Sequence, residues 1–517
     1  MTAITVHDGG RGIGGNKILV EENGRGVFLD FGKNFGKYGL YYEEFLRNRD
    51  SRGIHDLVHL DLIPKLDIYR SDLLPADVRM SSYPSPAIAA VLVSHAHVDH
   101  TGNIGLLDIG IPIVASPLSL AIMKGMQDSG ISSAETDAYY ASPKQPIDES
   151  GLLLESERKM PHTCRASFCT TGPDDALVRF LSHRPGQDGK NAKKYQPAAC
   201  LPLDNAALPF AVTPYEVDHS IFGATAYLLQ GDSAIAYTGD LRLHGRLGDR
   251  TRDFVHHAQD ASVLITEGTR AGRGTGPEGE GGSPTSERLV YETCRAVCDD
   301  VHGLIVADFS PRNFERLETF LQIARETGRT LVVTSKDLYL LHALECADGV
   351  CRFEPVGVYR ELADLSRRKW ETEVVMDRAA GQYISPRELH ENPDQYIACF
   401  SFYDAKHLLD IKPDGGSYLY SSCEAFSEEM EIDFRRLWQW IRRFGLEARG
   451  FSVGEQGELS FDPGFHASGH ASREDLAWVI DQVDPDILIP VHTTGHDWFA
   501  DTFEHVRVLG DGECVEL

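Results

Sequence analysis

The segment His95-Ala-His-Val-Asp-His100 constrains this chain more than any other feature of its sequence. Four of its six residues are of types that bind metal ions, and they follow an apolar run at residues 89–93. Such a run predicts a short buried strand, whose C-terminal end can present several side chains to one cavity. Imidazole nitrogens and a carboxylate suit Zn²⁺, and alternate residues of an extended segment point the same way. We therefore predict that His95 and His97 bind one cation, and that Asp99 and His100 serve a second one nearby.

Four more acidic or histidine residues end apolar runs elsewhere in the chain. They are Asp30 in GVFLDFG, His219 in FAVTPYEVDHS, Asp240 in AIAYTGD and His492 in DILIPVH. A single such residue at a strand end is most often structural, so only the whole set supports a site. Bridging two cations is a chemically sensible task for the carboxylate of Asp240. His244, which follows it, is a weaker candidate ligand.

Composition sets the class of the protein. With 517 residues, of which 42% are hydrophobic and 25% charged, the chain predicts a globular protein of two domains, or of one large domain with an insertion. It has no apolar stretch of bilayer-spanning length and no N-terminal pattern of a signal peptide, so we expect a cytoplasmic protein without a membrane partner. Its ten cysteines are scattered without a CxxC pair, as is usual in a reducing compartment.

The formal net charge of −28 argues against a general surface for polyanions, because contacts to phosphates need local positive potential. The net charge does not argue against a local basic groove that binds phosphates. Basic residues concentrate in three places, although each is more often a solvated helix face than a nucleic-acid contact. These places are Lys190 to Lys194, SRRKW at residues 366–370, and FRRLWQWIRRF at residues 434–444.

The order of the apolar runs predicts two domains, of which the second is inserted into the first. Strand-like runs fill residues 1–270, whereas residues 155–209 lack sustained periodicity and predict an elaborated loop. A segment rich in Gly, Pro and Ser, residues 271–287, predicts a flexible connection. Helices and strands then alternate as in a parallel α/β sheet. We predict domain segments 1–270 and 459–517, with residues 271–458 as the insertion.

Four motifs in this order, GVFLDFG, SHAHVDHTGN, VDHS and YTGD, resemble those of the metallo-β-lactamase superfamily. Within it the chain is similar to the β-CASP nucleases, the group that includes ribonuclease J. The resemblance rests on LITEGT with Glu267, FHASGHAS with His470, IPVHTT with His492, and FSPRNFERLETFLQIARETGRTLVV. It implies an α/β fold, in which an inserted α/β β-CASP domain interrupts an αββα sandwich.

The resemblance also implies a role for each motif residue. One metal ion would be held by His95, His97 and His219, and a second by Asp99, His100 and His492. Asp240 would bridge the two ions, and Asp30 would orient ligands without touching metal. Asp99 would also be catalytic, together with His470 as general acid and Glu267 as its partner carboxylate. The residues expected to hold a neighbouring phosphate are Ser468, Gly469 and His466.

The function implied is hydrolysis of RNA phosphodiester bonds by a dinuclear zinc enzyme, with Mn²⁺ as an alternative metal. The two ions would generate a hydroxide that attacks phosphorus. Single-stranded RNA is the expected substrate, cut by endonuclease action, 5′-to-3′ exonuclease action or both, and a homodimer is the expected assembly. In the DNA-directed branch of the superfamily the last motif position tends to be aliphatic, so His492 favours RNA.

Three alternatives remain open at this point. One is a DNA nuclease of the same superfamily. Another is a metallo-hydrolase of small esters or phosphodiesters, which the acidic net charge favours. The third is a catalytically silent RNA-binding scaffold subunit, against which stands the presence of every motif residue. Metal content and activity on RNA, DNA and short phosphodiesters separate these readings.

Overall fold

Two β-sheets packed face to face form the core of the first part of the chain. The computed structural model describes residues 1–43, 45–190, 192–272, 286–352, 354, 356–362, 368–422 and 428–517. The first sheet has eight strands, in the spatial order Cys200–Pro202, Ser167–Cys169, Ile113–Ala115, Ala87–Leu92, Arg25–Leu29, Lys17–Glu22, Thr2–Asp8 and Glu513–Glu516. The second has five, in the order Ala211–Glu216, Thr225–Gln230, Ala234–Tyr237, Val263–Glu267 and Ile487–Val491.

Alternation along the strands explains the layering. Alternate residues such as Val27 and Leu29 point inward from the first sheet and pack against Ile235 and Ile265 of the second. The opposite faces are covered by helices, Pro117–Ser129 on the first sheet and Gly248–His257, Arg473–Val483 and His496–Thr502 on the second. This is the predicted αββα sandwich. Shorter helices in this part are Phe35–Gly39, His55–His59, Val98–Thr101 and Asp175–Ser182.

A separate seven-stranded parallel sheet lies, in sequence, between the last two strands of the second sheet, Val263–Glu267 and Ile487–Val491. Its spatial order is Tyr383–Ile384, Val356–Tyr359, Thr330–Val333, Tyr396–Cys399, Leu304–Asp308, Gly416–Tyr420 and Leu446–Arg449. Its helices are Glu287–Asp300, Phe314–Glu326, Ser335–Asp348, Met376–Arg378, Pro386–Glu391, Leu408–Ile411 and Glu428–Arg443. The predicted fold class, a sandwich with an inserted α/β domain, is therefore confirmed. Among the described residues, no helix combines the length and the apolar composition needed to cross a bilayer.

The chain leaves and re-enters the sandwich between adjacent strands. Val263–Glu267 pairs in parallel with Ile487–Val491, and Glu267 stands opposite Val491. Residues 273–285 of the flexible connection predicted at residues 271–287 lie outside the described residues, as do residues 366 and 367 of the basic SRRKW segment. Three small sheets complete the fold: Tyr140–Ala141 with His162–Cys164 and Tyr195–Gln196, Lys144–Pro146 with Leu154–Ser156, and Phe451–Val453 with Leu459–Phe461.

The prediction of an elaborated loop at residues 155–209 was wrong. This stretch contains the helix Asp175–Ser182, and two of its strands extend the first sheet. Ser167–Cys169 pairs in parallel with Ile113–Ala115 and with Cys200–Pro202. Strands of three residues are too short to produce a visible alternation of apolar and polar residues, so the pattern could not reveal them.

A buried network of charges joins the sandwich to the inserted domain. The Arg242 side chain is fully buried and donates from Nε to Asp218 Oδ1 at 3.0 Å and from Nη1 to Glu287 Oε1 at 3.0 Å. Its Nη2 donates to Glu315, and Arg316 donates to both oxygens of Glu287. Burial opposes ionisation of Glu287, but the two arginines lower its pKa to about 2. The network therefore ties the strand-end loops of the sandwich to two helices of the insertion.

We expect Arg242→Gln to destabilise the protein by about 3–5 kcal/mol, because it leaves buried carboxylates without their cation. The measurement is the shift in the midpoint of urea unfolding. Arg246→Gln is the matched control, since Arg246 is half exposed and pairs with the rim of the same network. Its cost should stay below about 1 kcal/mol. Equal losses of stability in the two variants would contradict the conclusion that the buried network holds the two domains together.

A second buried acid, Asp308, should make stability depend on pH. It ends the strand Leu304–Asp308, and Tyr418 donates a hydrogen bond of 2.6 Å to it. Burial raises its pKa from 3.8 to about 7. The folded state thus keeps a proton that the unfolded chain has lost, and stability falls as pH rises from about 4 to about 7.

The isosteric variant Asp308→Asn should therefore unfold later than the wild type at pH 8 but not at pH 4. The expected gain is a few kcal/mol at most, at about 1.4 kcal/mol per pKa unit. Thermal unfolding of the metal-free proteins across this pH range measures the difference between them. A difference that does not change with pH would show that Asp308 is ionised in the folded state.

Candidate metal centre

The predicted ligands meet where the carboxyl ends of strands from both sheets face each other. His95 follows the strand Ala87–Leu92, and Asp99 and His100 lie on the short helix Val98–Thr101. From the second sheet come His219, Asp240 and His492, which follow the strands Ala211–Glu216, Ala234–Tyr237 and Ile487–Val491. Ala211–Glu216 and Ala234–Tyr237 are both antiparallel to the strand between them, Thr225–Gln230, so they run in the same direction. Ile487–Val491 has that direction too, because Val263–Glu267 pairs in parallel with both Ala234–Tyr237 and Ile487–Val491. Their ends therefore share one edge of the sheet.

Within the described residues, four groups of three side chains bring their ligand atoms within 4.8 Å of one another. Two of these groups match the two predicted sets, and the other two share Asp240. The groups are His95 with His97 and His219; Asp99 with His100 and His492; His95 with His100 and Asp240; and Asp240 with Glu267 and His470.

Asp240 occupies the middle of this arrangement. Its Oδ2 atom lies between 3.2 and 3.9 Å from a ring nitrogen of five histidines, His100, His95, His470, His492 and His219. The Asp240 carboxylate is almost fully buried, and its Oδ1 atom has no hydrogen-bond partner among the described residues. The buried His100 Nε2 atom likewise has no hydrogen-bond partner among the described residues, although it lies 3.2 Å from Asp240 Oδ2. Buried polar atoms left in this way are uncommon, and bound cations would satisfy them.

The electrostatics of the cluster also fit cations. Burial, together with the neighbouring imidazoles, lowers the pKa of His95 and of His97 well below the usual value, so both rings are neutral and can donate lone pairs. Burial opposes ionisation of Asp240, but His100 and His492 lower its pKa well below the usual value. Burial also opposes a charge on His100, whereas Asp240, Asp30 and Asp99 raise its pKa. The carboxylates of Asp30, Asp99 and Asp240 thus favour positive charge in the space between them.

Asp30 stands behind His100 and fixes its orientation. Its Oδ2 accepts hydrogen bonds from the hydroxyls of Ser94 at 2.7 Å and Tyr237 at 2.6 Å, and lies 2.8 Å from His100 Nδ1. Its Oδ1 accepts from the Ser94 backbone amide. With Nδ1 facing Asp30, the Nε2 atom of His100 is turned toward Asp240. Asp30 has a left-handed backbone, with φ of +59°, which aspartate tolerates better than most residues.

Glu267 and His470 form a pair beside Asp240. His470 Nδ1 lies 3.1 Å from both oxygens of Glu267 and 3.7 Å from Asp240 Oδ2. The backbone amides of Leu241 and Thr269 hold the buried Glu267 carboxylate. Burial opposes a charge on His470, but Glu267 and Asp240 raise its pKa, and His470 in turn lowers the pKa of Glu267. With Nδ1 engaged, Nε2 is the ring nitrogen of His470 that is turned away from Glu267.

The loop before His470 orients the side chain of His219, one of the predicted metal ligands. The carbonyl of Gly469 accepts from His219 Nδ1, which sets the tautomer and leaves Nε2 of His219 for the cluster. A Cβ atom on Gly469 would lie 2.8 Å from Ser220 Oγ, so a larger residue would push the loop away. Ser468 Oγ accepts from the His470 amide, and its carbonyl accepts from Arg242 and from His244 Nε2. These contacts indicate positioning roles, whereas the sequence had predicted phosphate binding.

The prediction for His466 does not agree with the structure. This side chain is buried, and its ring nitrogens bond to the carbonyls of Ser422 at 2.9 Å and Gly450 at 2.6 Å. Both nitrogens are therefore used within the fold, and neither is left for a phosphate. His244, the weaker candidate ligand, belongs to none of the four groups.

Two residues that sequence reasoning missed support the centre. Thr269 Oγ1 lies 2.9 Å from His492 Nδ1 and orients that ring, which sits on a left-handed residue with φ of +53°. Arg312, from the inserted domain, is close enough to act electrostatically on Asp99 and His97. Burial lowers the pKa of its guanidinium, and Asp99 offsets part of that effect. Both residues follow strand ends, which is the only signal the sequence carries for them.

Comparisons with known proteins agree with this arrangement. Residues 465–505 match the family described as "Zn-dependent metallo-hydrolase RNA specificity domain". Ribonuclease J of Methanocaldococcus jannaschii is 20% identical over 98% of this chain and 96% of its own length. Ribonuclease J 1 of Streptococcus pyogenes is 21% identical over 92% of this chain and 70% of its own. Ribonuclease J of Pyrococcus abyssi is 20% identical over 93% of this chain and 87% of its own.

The fold has a counterpart among solved structures. A crystal structure of an Enterococcus faecalis protein of unknown function superposes with a TM-score of 0.67 at 21% identity, and the match covers the whole of both chains. The matched family segment contains His470 and His492, the last two of the predicted site residues along the chain. By its ordered motifs, its fold and these matches, the chain is a metal-dependent hydrolase that is similar over most of its length to ribonuclease J.

Proposed function

We propose that this protein is a dinuclear zinc ribonuclease that hydrolyses phosphodiester bonds in single-stranded RNA, by endonuclease action, 5′-to-3′ exonuclease action or both. One observation carries the proposal. Two groups of metal-ligating side chains flank a shared carboxylate, Asp240, and the acid–base pair of His470 and Glu267 stands next to it. The RNA specificity match and the similarity to ribonucleases J support RNA as the substrate.

In this proposal the ligand sets follow the observed groups. His95, His97 and His219 would hold one Zn²⁺, Asp99, His100 and His492 would hold the other, and Asp240 would serve both. Imidazole and carboxylate donors suit Zn²⁺, with Mn²⁺ as the alternative. When bound by these residues, two such cations would supply an activated water and would neutralise the charge on a phosphate under attack.

The side chains around the metal ligands do the remaining work. His470, protonated and held by Glu267, donates its Nε2 proton to the oxygen that leaves phosphorus. Asp30 and the carbonyl of Gly469 hold His100 and His219 in the tautomers that face the centre. Arg312 is a cation on the inserted-domain side of Asp99 and binds a phosphate oxygen.

Arg312→Gln should therefore lower kcat/KM on RNA about 100-fold, as expected for the loss of one charge-stabilising donor. Arg312→Lys keeps the charge but not the paired donors, so it should recover part of that loss. Steady-state kinetics of the zinc-loaded enzymes measure both effects. Unchanged kinetics in Arg312→Gln would remove this residue from the site.

The test of the function is cleavage of end-labelled, 5′-monophosphorylated single-stranded RNA and of DNA with the same sequence, with Zn²⁺ or Mn²⁺ added. The double variant Asp99→Ala/His100→Ala should lose cleavage, and the exposed histidine variant His505→Ala should keep it. The product ladder distinguishes endonuclease from 5′-to-3′ exonuclease action. A wild-type protein that holds two metal ions yet cuts neither polymer would contradict the proposal.

A second candidate function is hydrolysis of small phosphodiesters or esters, which the net charge of −28 favours. Turnover of bis(p-nitrophenyl) phosphate or of a p-nitrophenyl ester by a protein that leaves RNA intact would support it. Preferential cleavage of DNA would instead indicate the DNA-directed branch. A protein without bound metal and without any turnover would support the scaffold reading.

We also propose the division into segments 1–270, 271–458 and 459–517. It is supported by the parallel pairing of Val263–Glu267 with Ile487–Val491, and by the separate seven-stranded sheet between them. Limited proteolysis tests the division, because the first cuts are then expected within residues 271–287. Early cuts inside the seven-stranded sheet would contradict it.

A further inference from the structure

Two of the three basic segments that stand out in the sequence come together in the fold. Lys190 and Lys193 lie in the stretch after the helix Asp175–Ser182, and Arg368 and Lys369 lie in the inserted domain. With Arg184 they line a single open cavity of about 530 Å³, which we call the basic cavity. A volume of this size accommodates a ligand larger than one phosphate.

The charge of the basic cavity is not balanced by its walls. Among the described residues, none of its five cations forms an ion pair with a carboxylate. The Asp128 carboxylate, which also lines it, is paired with the buried Lys124 and accepts from Tyr140 and Tyr339. Glu373 is engaged by the Gly186 amide. Arg368 donates to the Ser129 carbonyl and Arg184 to the Tyr140 hydroxyl, neither of which carries a charge. In a chain with a net charge of −28, this concentration of cations without carboxylate partners is a local exception that points to an anionic ligand.

One wall of the basic cavity carries a buried donor without an acceptor. Trp370 is 8% exposed and packs on Tyr339 with ring centroids 5.4 Å apart, but its indole Nε1 has no hydrogen-bond partner among the described residues. A buried donor without an acceptor costs about 1–3 kcal/mol. The π-helical turn Glu371–Val375 begins at the next residue, and such turns are frequently found at functional sites.

The cavity is distinct from the metal centre, and one helix links them. The start of the helix Pro117–Ser129 contacts Gly223, four residues beyond His219, through the hydroxyls of Ser116 and Ser119. Its other end carries Asp128 into the basic cavity. Eleven residues of α-helix separate these ends, a distance of about 16 Å. A ligand that reaches both sites must therefore be extended.

The cations of the cavity can contact the phosphates of a nucleic-acid backbone, and the buried rings of Tyr140 and Trp370 pack behind them. The Arg184 guanidinium lies over the Tyr140 ring at 5.6 Å, and Trp370 stands beside Arg368 and Lys369. We propose that the basic cavity binds the phosphates of single-stranded RNA away from the scissile bond, and so holds the part of the substrate that is not being cut. This inference rests on the proposed ribonuclease function and adds to it a second contact region.

The experiment measures RNA binding with a triple variant, Lys190→Gln/Lys193→Gln/Lys369→Gln, made in the Asp99→Ala/His100→Ala background so that the RNA stays intact. Fluorescence anisotropy of a labelled 20-nucleotide RNA gives Kd between 50 and 200 mM salt. We expect Kd to rise about tenfold at low salt, and the slope of log affinity against log salt to fall by about 2, for three lost phosphate contacts.

A second triple variant, Lys65→Gln/Arg250→Gln/Arg387→Gln, removes the same charge from exposed positions elsewhere and should keep the parental slope. Arginine at the three cavity positions keeps the charge and should restore binding, which excludes misfolding as the cause. Equal slopes for the cavity and control variants would overturn the inference while the ribonuclease function stands. Failure of the parental protein to bind RNA at all would overturn both.

Discussion

Asp240→Asn is expected to reduce hydrolysis of RNA by more than about 10³-fold and to lower the metal content of the purified protein. The Oδ2 atom of Asp240 lies within 3.9 Å of a ring nitrogen of five histidines. Replacing it by an amide group removes the negative charge that both ions would share, at nearly unchanged volume. Elemental analysis and the single-turnover rate measure the two effects separately.

The matched control for this variant is Asp253→Asn, which makes the same chemical change at an exposed carboxylate of the helix Gly248–His257. It should retain full metal content and rate. Thermal unfolding of both proteins without metal shows whether either change disturbs the fold. If Asp240→Asn binds two ions and cuts RNA normally, Asp240 does not bridge them.

His470→Ala is expected to lower kcat on RNA by about 10²–10⁴, the usual contribution of a general acid. It should leave bis(p-nitrophenyl) phosphate turnover nearly unchanged, because p-nitrophenolate leaves without being protonated. Metal content should also be unchanged, since the side chain pairs with Glu267 and does not belong to either proposed ligand set. Glu267→Gln should give a smaller loss on RNA with the same dependence on the leaving group.

The dependence on the leaving group separates two roles that the geometry allows. His470, Glu267 and Asp240 form a compact group of their own that could hold a cation. If His470 is a metal ligand, both substrates should lose rate together and metal content should fall. If it is the general acid, only the substrate with the poor leaving group should suffer.

The centre was largely predictable because its ligands are marked twice in the sequence. Each predicted ligand is of metal-binding type, and each lies in a segment that follows an apolar run, such as the strand Ala234–Tyr237 before Asp240. The short helix Val98–Thr101 puts Asp99 and His100 on the same side as His492, which only the fold can show. The sequence therefore predicts which residues belong to the two ligand sets, but not the distances between their ligand atoms.

Other features could not be predicted, because they depend on contacts between distant segments. The sequence does not show that Arg242 meets Glu287 and Glu315 across the two domains. Nor does it show that Lys193 and Lys369 face one cavity. His466 was misjudged for the same reason, since spacing of four residues from His470 says nothing of the carbonyls that hold its ring.

Because the strand Val263–Glu267 pairs with Ile487–Val491, the site cannot be completed during synthesis until the second of these strands has been made. Glu267 and His492 are 225 residues apart, and a ribosome needs about 11–45 s to add that number of residues. Until then the second ligand set lacks His492, and the last strand of the second sheet is missing. A nascent ribonuclease of this design therefore has no complete centre while most of its own message is being translated.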